Sequence, residues 1–293
     1  MGTLDQHVSN SITKVMVLGD SGLGKTGALA SLVFAGYNLR VMDFDNGIDI
    51  LANLVRQKKP ELLKGIRYKT LTDDMKVLGG KIQATSSKAW NDAVALLGDW
   101  KDGSEPGLGS VTTWGPQDVL VVDSLTFAGK AALRFICAMN GRLASKPYQS
   151  DFGDAQTLVE NFLAMLFSSS IKCNVVVLSH IREIGKQATI SVTDKDGKEK
   201  PMIVEEEGTR KGYAETGTGR ALSPLVGRFF NSVLMVDMLG TGEHARRIIR
   251  TVPIDNIGLK NSAPGLVKPS YPLATGLAEY FAALRGEVYK PLA

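Results

Sequence analysis

Lys14–Leu18, KVMVL, runs into Gly19-Asp20-Ser21-Gly22-Leu23-Gly24-Lys25-Thr26, GDSGLGKT, and the chain continues as Gly27–Phe34, GALASLVF. A short apolar run, a glycine-rich turn and a helix-forming stretch, in that order, satisfy GxxxxGK[ST] in the setting where the pattern has mechanical meaning. Small residues let successive backbone N–H groups point at a common anion, and the helix start adds partial positive charge. In such a loop the eight residues Gly19 to Thr26 hold phosphates, Lys25 reaches the β- and γ-phosphates, and the Thr26 hydroxyl faces Mg²⁺.

Further strands follow the same plan. Leu39–Phe44 is apolar and β-branched and ends among Asp43, Asp45, Asn46 and Gly47. Asp118–Val122, DVLVV, stops at Asp123, and Asn174–Ser179, NVVVLS, stops before His180. Helical spacing marks Ser87–Trp100, Leu125–Met139 and Ala155–Ser169, with Lys101–Gln117 and Asn140–Asp154 as loops. Near-continuous apolar strands alternating with helices predict an α/β fold, a mainly parallel sheet flanked by helices on both faces, with ligands at the C-terminal strand ends. Asn231–Met238 and Ala245–Val252 around Gly240–Gly242 predict a C-terminal β-hairpin, and Ala274–Leu284 a last helix. Glu183–Gly219 reads as a long functional loop with a hairpin in it, Thr189–Thr193 against Met202–Val204.

At the strand ends, Asp123 suits the carboxylate that holds Mg²⁺ beside Thr26. Asp45, sharing its parity with Asp43, suits a group that orients or deprotonates an attacking water, and His180 a reporter of the γ-phosphate. The net charge of +4 over 293 residues is too small to demand a polyanionic partner. Cys137 and Cys173 stand at no metal or redox spacing, and no apolar run is long enough to span a membrane, which together predict a reduced, cytoplasmic protein. A GTPase reading fails, because Asp123-Ser124-Leu125-Thr126 stands where DxxG is needed and Ser179-His180-Ile181-Arg182 where NKxD is needed, so ATP is the expected nucleotide.

GDSGLGKT, VMDFDNG, VLVVDSLTFAG, NVVVLSHIR and GTGRALSPLVGRFFNSVLMVDM, in that order, resemble the RecA-like P-loop ATPase family, in particular its core-only, Rad-like phage members associated with single-strand annealing and recombination. The likeness spans 13–261, leaving 1–12 as a flexible N-terminus and 262–293 as a C-terminal tail and helix. It implies an ATP- and Mg-dependent hydrolase that binds single-stranded DNA, forms homo-oligomers, and works with a single-strand binding protein or a helicase. A helicase motor or loader, and a nucleotide-switched module with negligible hydrolysis, are the alternatives. Asp45 falls where the family has its catalytic carboxylate, usually Glu, and His180 where it has a phosphate-sensing glutamine. Asn140–Asp154 and Glu183–Gly219 fall on its two DNA-facing loops. Acids and bases balance from Arg182 to Arg220, so DNA contact there is expected from Arg210, Lys211 and Tyr213. Arg246, Arg247 and Arg250 make a basic stripe, and Lys260 resembles a lysine that reaches nucleotide across a subunit interface.

Overall fold

The computed structural model describes residues 11–104, 106–193, 199–206, 208–254 and 256–292. The expected N-terminal segment therefore lies almost wholly outside the described residues. In chain order the first half comprises β1 (Lys14–Leu18), α1 (Lys25–Ala28), α2 (Ala30–Phe34), β2 (Asn38–Asp43), α3 (Asp49–Lys58), β3 (Ile66–Thr70), β4 (Met75–Leu78), β5 (Lys81–Ala84), α4 (Lys88–Gly98), β6 (Asp118–Asp123) and α5 (Leu125–Met139). The second half comprises α6 (Gln149–Phe167), β7 (Asn174–Ser179), β8 (Ile181–Ile184), β9 (Gln187–Thr193), β10 (Glu199–Glu205), β11 (Lys211–Ala214), α7 (Ser223–Val226), β12 (Ser232–Leu239), β13 (Arg246–Arg250), β14 (Ser270–Pro272) and α8 (Gly276–Leu284).

The expected α/β architecture is the one observed. An eight-stranded sheet runs β14-β13-β12-β1-β7-β6-β2-β3. It is parallel from β12 to β3 and antiparallel where β13 and β14 close its end. Its strands alternate between two cores, as a side-chain period of two requires. Met16, Leu18, Leu120 and Val122 pack with Trp90, Trp100, Phe162 and Leu163 on one face. Val15, Val17, Val119 and Val121 pack with Leu29, Leu32, Leu51 and Phe281 on the other. Both faces are dry, which is why these strands read as unbroken apolar runs.

Parallel register then fixes where polarity collects. Asp43 stands opposite Asp123, and Leu18 opposite Ser179, at the C-terminal ends of neighbouring strands. The phosphate-loop candidate, both acidic strand ends and His180 therefore share one edge of the sheet.

Two expectations change. Helix α6 begins at Gln149, six residues before the expected start, so the loop expected over Asn140–Asp154 is partly helical. The cause is Asp151, fully buried, whose carboxylate accepts hydrogen bonds from Tyr148 N at 2.7 Å and Asn140 Nδ2 at 2.9 Å and pairs with Arg142. Glu183–Gly219 is not a loop carrying one hairpin. It is two nested antiparallel ribbons, β8 with β11 and β9 with β10, the turn of the inner one lying outside the described residues. The expected C-terminal hairpin is present as β12 and β13, and it is built into the sheet: β12 runs parallel to β1, β14 extends the sheet, and Leu277, Tyr280 and Phe281 of α8 are fully buried. Among the described residues no helix is long and apolar enough to cross a membrane.

The segment after β11 crosses helix α5 so closely that only glycine fits beneath it: a Cβ on Gly129 would lie 1.5 Å from the Thr216 carbonyl oxygen. Gly129→Ala should therefore destabilise the protein by roughly 3 kcal/mol or more, because backbone must shift. Gly153→Ala in α6, where a Cβ meets nothing within 4 Å, should raise stability by about 0.5–1 kcal/mol. Urea midpoints of the two variants check both signs.

Candidate nucleotide site

Between β1 and α1 the chain turns through two left-handed glycines, Gly22 at φ 80° and Gly24 at φ 102°. A side chain at either would be strained. Gly24 caps α1, its carbonyl accepting from Ala28 N at 2.9 Å. Gly19 N donates to Ser179 O at 3.2 Å, which ties the loop to β7. Asp20 and Ser21 are exposed, and Leu23 leans on the core. Lys25 is buried and folds back so that Nζ donates to the carbonyls of Gly19 at 2.7 Å and Asp20 at 3.0 Å. Desolvation lowers its pKa, opposed by Asp123, Asp45 and Asp20.

Asp123 is 1% exposed. Its Oδ2 accepts from the Thr26 hydroxyl at 2.7 Å, while Oδ1 is buried without a partner. Burial first, then the charge of Asp45, pushes its pKa up to about 7. The peptide bond that follows it is cis. The two carboxylates at the end of β2 and just beyond it, Asp43 and Asp45, indistinguishable by parity, have separate fates. Asp43 is fully buried and accepts from Gly47 N at 3.0 Å and Thr70 Oγ1 at 3.3 Å, which holds the turn. Asp45 lines the cleft, and its Oδ1 has no partner.

The cleft, of about 550 Å³, is floored by Gly24, Lys25 and Thr26 and walled by Asp45, Asp123, Phe127, His180 and Arg247. It thus brings together Lys25, Thr26, Asp45, Asp123 and His180 as the sequence predicts. The His180 ring packs edge-on to Phe127, with centroids 6.0 Å apart, and Nδ1 lies 3.2 Å from the Thr126 hydroxyl. Burial and then the charge of Lys25 lower its pKa, which keeps the imidazole neutral near pH 7.

Arg247, which the sequence groups with Arg246 and Arg250 in a basic stripe and not with the phosphate site, also lines the cleft. It sits in β13 opposite Met238, and its guanidinium would lie 3.7 Å from a Cβ on Gly24. Among the described residues no carboxylate pairs with it, whereas Arg250 is bound to Asp237 at 2.5 Å. Strand alternation was the available signal: Arg247 shares its side of β13 with fully buried Ile249, on the face that carries α1 and α2.

Lys260, Lys211 and Tyr213 lie elsewhere. They line a separate groove of about 530 Å³ with Arg228 and Asn256. Arg210 stays outside both cavities, largely exposed and paired with Glu205 at 3.3 Å.

The donor set fits Mg²⁺. Two buried carboxylate oxygens lack partners beside a threonine hydroxyl, which is what a cation completed by phosphate oxygens and water needs. Among the described residues no group of three or more His, Cys, Asp or Glu can enclose an ion unaided.

A protein family described as AAA domain matches residues 12–208. No curated protein is similar to the chain in sequence. Among solved structures, a RadB recombinase is 13% identical at a TM-score of 0.42, over 85% of this chain and 90% of that one. The flagellar accessory protein FlaH from Methanocaldococcus jannaschii is 9% identical at 0.41, over 93% of each chain. A KaiC-like protein from Pyrococcus horikoshii is 10% identical at 0.41, over 89% of this chain and 84% of that one.

Thr26→Ala and Asp123→Asn should each weaken ATP binding at millimolar Mg²⁺ by about tenfold or more, the equivalent of 1.4 kcal/mol. In EDTA both should bind ATP as the unaltered protein does. Titration with a fluorescent ATP analogue under the two conditions reads the difference directly.

Proposed function

The chain belongs to the AAA domain family of P-loop proteins, and on that premise we propose that it is a Mg²⁺-dependent ATPase that binds single-stranded DNA and assists annealing or homologous recombination. The observation that carries the ATPase reading is the buried Asp123 carboxylate, hydrogen-bonded to Thr26 through one oxygen and unsatisfied at the other, directly beside Lys25.

On this reading ATP enters with its phosphates on the loop, and Lys25 exchanges the carbonyls of Gly19 and Asp20 for phosphate oxygens. Thr26 and Asp123 would hold Mg²⁺, which would supply positive charge against the phosphates. Asp45, across the cleft, accepts a hydrogen bond from a water and aligns it with Pγ. The water oxygen bonds to Pγ as the bridging β–γ bond breaks. ADP leaves, and the water proton ends on the phosphate product. Positioning and fixed charge supply the rate, because the protein forms no covalent bond.

The DNA half of the reading is supported by the second groove. Lys211, Arg228 and Lys260 supply cations there, and Tyr213 a ring, the combination that tracks a phosphate backbone and stacks bases. The ribbon carrying Lys211 and Tyr213 pairs with β8, which begins one residue after His180, so the groove and the cleft adjoin through one short strand. A nucleotide switch with slow turnover is the second reading, favoured by Asp45, whose carboxylate is one methylene shorter than glutamate.

Lys25→Ala should abolish turnover, and Asp45→Asn should retain ATP binding while turnover falls by about 10²- to 10⁴-fold. Unchanged phosphate release from the purified Lys25→Ala protein would remove the site. Fluorescence anisotropy with a labelled oligonucleotide should show salt-sensitive binding, strengthened by ATP. Lys211→Ala with Tyr213→Ala should lose most of it, and equal binding by that double variant would move DNA off this groove.

A further inference from the structure

We propose that the Thr126 hydroxyl fixes His180 in the Nδ1–H tautomer, so that Nε2 meets the nucleotide cleft as an acceptor and holds the attacking water together with Asp45. The proposal rests on the ATPase reading for its last step only.

The hydroxyl of Thr126 is buried at the start of α5. It has one proton to give and two lone pairs to receive with. The Glu215 carbonyl oxygen, 2.9 Å away, can only accept, and it is the nearest acceptor. The proton goes there. Both remaining partners, the backbone N–H of His180 and the ring Nδ1, each at 3.2 Å, must then donate. Nδ1 therefore carries the hydrogen. Neutral imidazole has one N–H, so Nε2 is left with its lone pair.

Nothing else competes for that nitrogen. Nε2 makes no hydrogen bond among the described residues, and the ring lines the cleft, held edge-on by Phe127. The charged groups acting on the ring are Lys25 and Lys130, which disfavour a second proton, and Asp45 and Asp20, which favour one. Burial tips the balance toward the neutral ring.

The consequence is chemical. An amide in this place would offer an N–H to the γ-phosphate. A neutral imidazole in this tautomer offers a lone pair, which repels a phosphate oxygen and attracts the O–H of a water. His180 therefore acts on the nucleophile, and Thr126 is the positioning residue that makes it do so.

The backbone explains why Thr126 can hold two segments at once. Its carbonyl lies so close to the strap that a Cβ on Gly217 would stand 2.2 Å from it. Glu215 is anchored in turn by Arg182, at 2.9 and 3.1 Å, and by Gly217 N at 2.8 Å. The carbonyl that takes the Thr126 proton is thus held in place, and the tautomer with it.

The experiment is ¹⁵N–¹H correlation of the histidine rings in the full chain without nucleotide, with His180 assigned by loss of its signals in His180→Gln. Beside it, turnover and ATP affinity are measured on Thr126→Val and Thr126→Ser. The unaltered protein and Thr126→Ser should show Nδ1–H at His180, and Thr126→Val should shift toward Nε2–H. Turnover in Thr126→Val should fall by about tenfold or more in kcat with ATP affinity unchanged, and Thr126→Ser should restore it. Nε2–H in the unaltered, ATP-hydrolysing protein would overturn the proposal alone. Nδ1–H in a protein that binds but never hydrolyses ATP would overturn its water-holding step together with the ATPase reading. Should Thr126→Val fail to fold, the tautomer of the unaltered protein still decides.

Discussion

A carboxylate at the dry end of a parallel sheet is the constraint on which the site turns. Asp123 closes a strand whose four middle side chains, Val119 to Val122, are apolar and fully buried. Of its two oxygens, only the one facing Thr26 is satisfied. An unpaired buried acceptor costs about 1–3 kcal/mol, and a charged one more. On the proposed reading, a cation brought with the bound phosphates would remove that cost. Asp43, opposite in register and equally buried, shows the contrast: Gly47 and Thr70 satisfy it, and it serves the turn.

Around that carboxylate the chain builds one continuous hydrogen-bonded path. Ser179 binds Gly19 of the loop, His180 leans on Thr126, Glu215 receives both Thr126 and Ser179, and Arg182 grips Glu215 from β8. The glycines at 129 and 217 let the strap approach α5 at backbone distance. A packed contact of this kind slides only by breaking bonds, which gives it discrete positions and not a continuum. The ribbon that carries Lys211 and Tyr213 is fastened to the same strand, so the groove and the cleft are joined by paired backbone.

Much of this was legible in the sequence because it is local or buried. The loop announces itself through glycine, lysine and threonine at fixed spacing, and strands covered on both faces stand out as apolar runs whose last polar residue marks the site. What escaped is long-range. Strand β14 has three residues and exists only because β13 offers an edge. The inner ribbon was partly legible, as Thr189–Thr193 against Met202–Val204, but the pairing of β8 with β11 joins segments far apart in the chain and no local period betrays it. Helix α6 starts early because Asp151 meets Asn140 and Arg142 from the preceding turn. Arg247 reaches the cleft from a strand more than 220 positions along the chain, and only the pairing of β12 with both β1 and β13 places it there. Parity made Asp43 and Asp45 alike, and the turn between β2 and α3 made them different.

Arg247 also bears on how the proposed reaction relates to assembly. A metal-chelated triphosphate keeps an excess of negative charge, and a cleft must meet it with cations. Lys25 and Arg247 both come from the same chain, and neither is neutralised by a carboxylate within hydrogen-bonding distance among the described residues. Lys260, the candidate for reaching across a subunit boundary, lies with Lys211 in the other groove. On the proposed reading, the loop, the divalent ion and these two cations of one chain would meet the charge of the phosphates. Within that proposal, a neighbouring copy would act at a later stage, where charge develops on the leaving oxygen and one further cation has the most to stabilise.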